Sequence, residues 1–310
     1  MPTPIILDCD PGLDDAIAIL MAVASPEVEL LAITCVAGNV SMDNIQDNAR
    51  RLLTLAGAQS VPVAAGLDRP LLRPLVTASH VHGENGLGGV TLPAPTVELD
   101  PRHGVDLLVE TIMAAPRPIT LVPTGPLSNI AMALRREPRL RDHIARITLM
   151  GGGIAGGNVT PRAEFNIYVD PDAARIVFSS GIPITMVGLD VTHKATVGPA
   201  DVRRIRALGT PVGDAVAAML DFYARCYRDD YGTDELPLHD PCCVAEVIQP
   251  GLITTKRMNV EIETASELTL GETVCDVLGV SGRAPNADVG VDLDRQDFVD
   301  ILMDCLRRCT

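Results

Sequence analysis

Aromatic residues are scarce in this chain, at 3% of 310 residues, although hydrophobic residues as a whole make up 47%. A core with so few large rings has to be filled by Ala, Val, Leu and Ile, the composition of parallel sheets covered by helices. Positive charge is also in short supply. The chain has 25 Lys and Arg against 40 Asp and Glu, a net charge of -15, which argues against nucleic acid or an anionic membrane as a partner. No apolar run is long enough to cross a bilayer, and the chain reaches Asp8 without the basic start and apolar stretch of a signal peptide. The eight cysteines form no CxxC pair, and Cys9, Cys35 and Cys275 lie in apolar runs. Reduced, mostly buried thiols and a cytoplasmic protein are therefore expected. No linker, repeat or low-complexity segment divides the chain, so residues 1-310 are expected to form a single domain.

What is present is an alternation of strand and helix. Strands are expected at 4-7, 29-36, 61-65, 119-122, 144-150 and 182-187, and helices at 14-24, 41-56, 103-114 and 127-136. Ser41 and Asp170 are placed to open helices, and 199-229 reads as a helix broken near Gly209-Thr210-Pro211. Short strands at 258-263 and 288-292 and an amphipathic helix at 295-308 follow. A long irregular stretch, 67-100, is rich in Pro, Gly and His, as functional loops are. The pattern predicts an α/β fold, with a central, mainly parallel (mixed), Rossmann-like sheet flanked by helices. Ligands then belong at the carboxyl ends of the strands.

At the first of those ends stands Asp8-Cys9-Asp10-Pro11-Gly12-Leu13-Asp14-Asp15. Four carboxylates where a buried strand becomes a helix are costly unless something neutralises them, and a divalent cation does so economically. Helix capping by Asp14 and a dipole interaction by Asp15 are the simpler alternatives. Pro11-Gly12 is expected to turn the backbone tightly enough for Asp10 and Asp15 to face one point. All-oxygen ligation suits calcium, with its seven or eight ligands, better than octahedral magnesium, and no Cys/His spacing supports zinc. His239-Asp240-Pro241 offers a second acidic element, or simply a helix cap beside a solvated imidazole. Glu164 and Asn166, two apart in extended chain, point to one side and suit vicinal hydroxyls, if they are not isolated surface residues. Tyr223 and Tyr227 share a helix face, suited to core packing or to a flat base.

Taken together with Gly38-Asn39, His82-Gly83-Glu84, Val122-Pro123-Thr124-Gly125-Pro126-Leu127-Ser128-Asn129, Met150-Gly151-Gly152-Gly153 and Glu164-Phe165-Asn166, these motifs resemble the inosine-uridine-preferring nucleoside hydrolases over the whole chain. The resemblance implies calcium-dependent hydrolysis of the N-glycosidic bond of ribonucleosides. Calcium would be held by Asp10, Asp15, Asp240 and the carbonyl of Thr124, with Asp10 as general base and His239 as the acid for the departing base. Asp14, Asn39 and Asn166 would hold the 2'- and 3'-hydroxyls, Asn158 and Glu164 the 5'-hydroxyl, and Met150 and Phe165 would pack beside the sugar. His82, Tyr223 and Tyr227 would face the base, and two tyrosines there suggest that purine nucleosides such as inosine are accepted alongside uridine. Asp8 is expected to be structural. A homotetramer is the family expectation. Two other classes fit parts of the pattern: a haloacid-dehalogenase-like phosphatase, which would lack Asp14-Asp15 and His239-Asp240, and a nucleoside-binding sensor, which would have lost a base or a ligand.

Overall fold

The computed structural model describes residues 1-309, with the side chains of residues 230 and 231 left aside. The first strand, β1 (Thr3–Cys9), is buried along almost all of its length because both of its faces are covered. Its residues alternate between two cores, as the two-residue repeat of a strand requires: Ile5, Leu7 and Cys9 join one, Ile6 the other. Seven further strands complete the sheet: β2 (Val28–Cys35), β3 (Val63–Ala65), β4 (Ile119–Pro123), β5 (Ile144–Met150), β6 (Ile184–Val187), β9 (Ile253–Met258) and β12 (Ala287–Leu293). Two short ladders, β7 (Thr196–Val197) with β8 (Leu236–Pro237) and β10 (Val260–Ile262) with β11 (Thr273–Cys275), lie outside it.

The order β3-β2-β1-β4-β5-β6-β12-β9 is parallel throughout except for the antiparallel edge strand β9. The chain winds outward from β1 in one direction and from β4 in the other, so a crevice opens between them at their carboxyl ends. Asp8 sits opposite Thr34 of β2 and Pro123 of β4, which places Asp10 and Thr124 together at that crevice.

Most predicted elements form within a few residues of their expected ends; the helix Arg295–Arg308 and strand β5 match them. The expected break after 199-208 is complete. Gly209 takes a φ of +65°, and Thr210 starts a new helix, Pro211–Tyr231, by accepting from the Gly213 amide. The stretch 67-100 holds only the short helix Ser79–His82, but it is stitched down. Asn48 donates to the Asn85 carbonyl, Arg50 to that of Val97, and Arg51 to those of Leu92 and Pro93. No disulfide forms among the described residues, and six of the eight cysteines are buried. Among the described residues no helix is long and apolar enough to cross a membrane.

Candidate functional site

From β1 the chain passes through Asp10-Pro11-Gly12 into the helix Leu13–Ala24. The sequence assigns Gly12 to a tight turn, but its φ of -96° is open to any residue. The glycine is needed for space: a Cβ there would lie 2.4 Å from Nδ1 of His82 and 2.7 Å from Nδ2 of Asn39. Asp10 uses the same device twice. A Cβ on Gly38 would fall 2.1 Å from its Oδ2, and one on Gly125 2.5 Å from its Oδ1, so the carboxylate lies between two stretches of bare backbone.

Within that slot Asp10 Oδ2 accepts from the Asn39 amide at 2.7 Å, while Oδ1 is buried with no partner among the described residues. Asp15 accepts from the Gly12 amide at 3.0 Å, from Asn39 Nδ2 at 3.1 Å and from Thr124 Oγ1 at 2.8 Å. Asp240 arrives at the head of the helix Pro241–Ile248. Carboxylate oxygens of Asp14, Asp15 and Asp240 all lie within 4.8 Å of one another. Burial first, and neighbouring carboxylates second, push Asp10 and Asp240 well above the usual carboxylate range and Asp15 up to about 6. Asp14 is among the charges that raise all three. Such a cluster is costly by itself and fits a hard divalent cation, which neutralises it and gives the orphaned Asp10 oxygen a partner. The compact trio contains Asp14, which the resemblance gives to the sugar, with Asp10 beside it. The Thr124 carbonyl takes a hydrogen bond from Asn166 Nδ2 at 2.7 Å, which leaves one of its lone pairs.

Asp8 is structural, as expected. It accepts from Thr34 Oγ1 and, at 2.8 Å, from Nδ2 of Asn129. That amide also holds the Leu67 nitrogen and the Cys35 carbonyl, a role that sequence reasoning missed.

Above the acidic floor opens a cavity of about 860 Å³ that brings the predicted substrate residues together. Asp14, Thr124 and Asp240 line it, as do Asn39, Met150, Asn158, Glu164, Phe165 and Asn166, while Asp10 and Asp15 are not among the lining residues. Glu164 and Asn166 are not in extended chain, as the sequence suggests. Glu164 caps the short helix Phe165–Val169, taking the Asn166 amide on Oε1 and those of Gly152 and Ile167 on Oε2. Burial still lifts it to about 7. Asn166 spends its amide nitrogen on the carbonyls of Thr124 and Met150, and Asn39 spends its own on Asp10 and Asp15, so in both the side-chain oxygen remains. Asn158 does the reverse, accepting from the Phe165 amide and keeping its nitrogen.

His82, Tyr223, Tyr227 and His239 also line the cavity. The tyrosine rings meet edge to face, 5.3 Å apart, and Tyr223 also joins the core, the packing role that the sequence suggests. His82 Nδ1 accepts from the Leu13 amide at 3.1 Å, and His239 Nδ1 lies 2.7 Å from Thr192 Oγ1. Burial lowers the pKa of His82 and brings that of His239 down to about 4. His193, which sequence reasoning missed, also lines the cavity, with its ring 5.8 Å from that of His239. Thr192 and His193 lie just past β6, at the carboxyl edge where the topology places ligands; that position was the available signal.

Residues 5–300 match the family model described as inosine-uridine preferring nucleoside hydrolase. The chain is 49% identical over 308 residues to the pyrimidine-specific ribonucleoside hydrolase RihA of Salmonella arizonae, covering 99% of each chain. It is also 49% identical over 307 residues to the protein of that name from Citrobacter koseri, covering 99% of this chain and 98% of the other. Among solved structures, a purine-preferring ribonucleoside hydrolase from Gardnerella vaginalis superimposes with a TM-score of 0.93 at 35% identity, over 99% of both chains. The chain therefore belongs to the inosine-uridine preferring nucleoside hydrolases and is an enzyme that hydrolyses N-glycosyl bonds.

Proposed function

We propose that this enzyme releases ribose from both pyrimidine and purine ribonucleosides and depends on calcium to do so. The observation that carries the reading is the buried, unpartnered Oδ1 of Asp10 beside the Asp14, Asp15 and Asp240 carboxylates. Asp10, Asp15, Asp240 and the Thr124 carbonyl would hold the ion, and the position of Asp14 brings it into the same cluster. Bound calcium supplies positive charge that offsets the carboxylates, engages the ribose diol and acidifies water at the site.

Asp10 takes a proton from the attacking water, and burial has already raised its proton affinity in the direction a base requires. Its anionic neighbours favour the positive charge that develops on the ribosyl ring as the C–N bond breaks. The oxygens left over on Asn39 and Asn166, with the carboxylate of Asp14, accept from the 2'- and 3'-hydroxyls. Asn158 donates to the 5'-hydroxyl and Glu164 accepts from it, while Met150 and Phe165 close the sugar in. On the far side His82 and His239, both neutral near pH 7, donate hydrogen bonds to the departing base, and Tyr223 and Tyr227 pack against it. The relatives named pyrimidine-specific support the pyrimidine half of the proposal, and the tyrosine pair supports the purine half.

The test is a panel of ribosides and 2'-deoxyribosides, with and without prolonged chelation, read as free sugar. Uridine and inosine should both yield ribose, and deoxyribosides should be slower by roughly a hundredfold or more, because buried acceptors lose their hydroxyl. Chelation should abolish turnover and calcium restore it. Turnover that survives full chelation refutes the calcium dependence, and uridine cleavage without inosine cleavage refutes the purine half.

A further inference from the structure

We propose that Thr192 is a positioning residue that fixes the tautomer of His239, so that the ring nitrogen facing the base carries a proton. Thr192 ends the short helix Leu189–Thr192, is fully buried and does not line the cavity. Its Oγ1 lies 2.7 Å from His239 Nδ1, the only hydrogen-bond partner of that hydroxyl among the described residues. Its backbone is committed elsewhere, with its amide on the Gly188 carbonyl and its own carbonyl taken by the Ala195 amide.

The direction of the bond follows from this inventory. If His239 Nδ1 carried the proton and donated it, the threonine O–H would be left in a sealed position with no acceptor, a costly arrangement for a buried donor. If the hydroxyl donates to Nδ1, both groups are satisfied. A neutral imidazole has one donor and one acceptor nitrogen, so the proton then sits on Nε2, where a departing base can receive a hydrogen bond.

His82 provides an internal parallel. The donor to its Nδ1 is the backbone N–H of Leu13, which cannot accept, so the proton of neutral His82 must also lie on Nε2. Two imidazoles on the base side are thus turned into donors by groups behind them, one on the main chain and one on a side chain. The edge contact with His193 restrains the His239 ring but cannot choose between its tautomers. A partner behind the ring orienting a catalytic histidine is a general device of active sites.

This inference rests on the reading that His239 serves the departing base, and the experiment separates the two. Thr192→Val, which keeps the shape without the hydroxyl, Thr192→Ser and His239→Ala are compared on uridine and on para-nitrophenyl riboside, whose leaving group needs no assistance. Thr192→Val should lower kcat for uridine roughly 10- to 100-fold with KM within about twofold, and leave the nitrophenyl substrate within about twofold. Thr192→Ser should return uridine turnover to within about threefold of wild type. Equal losses on both substrates, or no rescue by serine, overturn the proposal. A His239→Ala variant that spares uridine sinks the role of His239 itself. Selective loss in His239→Ala with wild-type rates in Thr192→Val sinks the tautomer assignment alone. A measurement on the wild-type protein needs no folded variant at position 192: long-range proton–nitrogen NMR of histidine-labelled enzyme, with His239 assigned by the signal absent from His239→Ala. A proton on Nε2 is expected, and a proton on Nδ1 overturns the proposal.

Discussion

The sugar end and the base end of the cavity are held in place by different means. Asp10, Asn39, Thr124 and Met150 stand where β1, β2, β4 and β5 end or just beyond, so the register of four parallel strands sets their spacing. Around Asp10 even a methyl group is barred, by Gly38 and Gly125. The base end stands on the helices Ser79–His82 and Pro211–Tyr231 and the turn before Pro241, and its groups are held by ring contacts and single hydrogen bonds. One end is densely acidic and has its donors counted out, while the other is neutral. On the proposed reading, the chemistry common to all substrates falls to the sheet and the choice of base to the helix faces.

The largest effect that tests this division is at the floor. Asp10→Ala should lower turnover roughly a thousandfold or more, equally for uridine, inosine and para-nitrophenyl riboside, with circular dichroism unchanged. A loss confined to the natural nucleosides would move Asp10 to leaving-group assistance and break the comparison.

Glu164 offers a smaller effect, on stability. Burial raises its folded pKa from 4.5 to about 7, so the native state keeps a proton that the unfolded chain releases. The associated stability is fully present below about 4.5 and is lost as pH rises through about 7. In metal-free protein, urea unfolding at a series of pH values should show wild type losing on the order of 3 kcal/mol more than Glu164→Gln across that window. Parallel curves for the two proteins would show that the three backbone donors hold Glu164 ionised throughout.

The smallest effect belongs to the base end. Tyr223→Ala combined with Tyr227→Ala should cut inosine turnover about tenfold while leaving para-nitrophenyl riboside within about twofold. Equal losses on the two substrates would mean that the tyrosines support the floor through the core, and the division between the ends would fail.

Much of this was legible in the sequence, because local chemistry and topology agree. A buried strand followed by clustered aspartates announces an acidic cluster, and alternating strands and helices place it at a carboxyl edge. Asp240 was within reach because His239 and the Pro241 helix start surround it, whereas Thr124 came only from the family resemblance. What stayed hidden depends on contacts between distant segments. Gly12 reads as a turn residue, yet its function is to let His82 and Asn39 approach. Glu164 and Asn166 look like alternating strand residues until one turn of helix forms and Glu164 caps it. Thr192 carries no motif of its own, and only folding sets it behind His239.

Asp240 also bears on how the protein is made. It must join Asp14 and Asp15, which leave the ribosome long before it does. At ~5–20 residues per second, the nascent chain waits on the order of tens of seconds with its N-terminal carboxylates lacking their last neighbour. The sheet around β1 therefore has to collapse before Asp240 arrives. If the proposed cation binds there, its capture becomes one of the final events of synthesis, and a chain truncated before residue 240 would lack Asp240 together with β9, β12 and the helices Pro241–Ile248 and Arg295–Arg308.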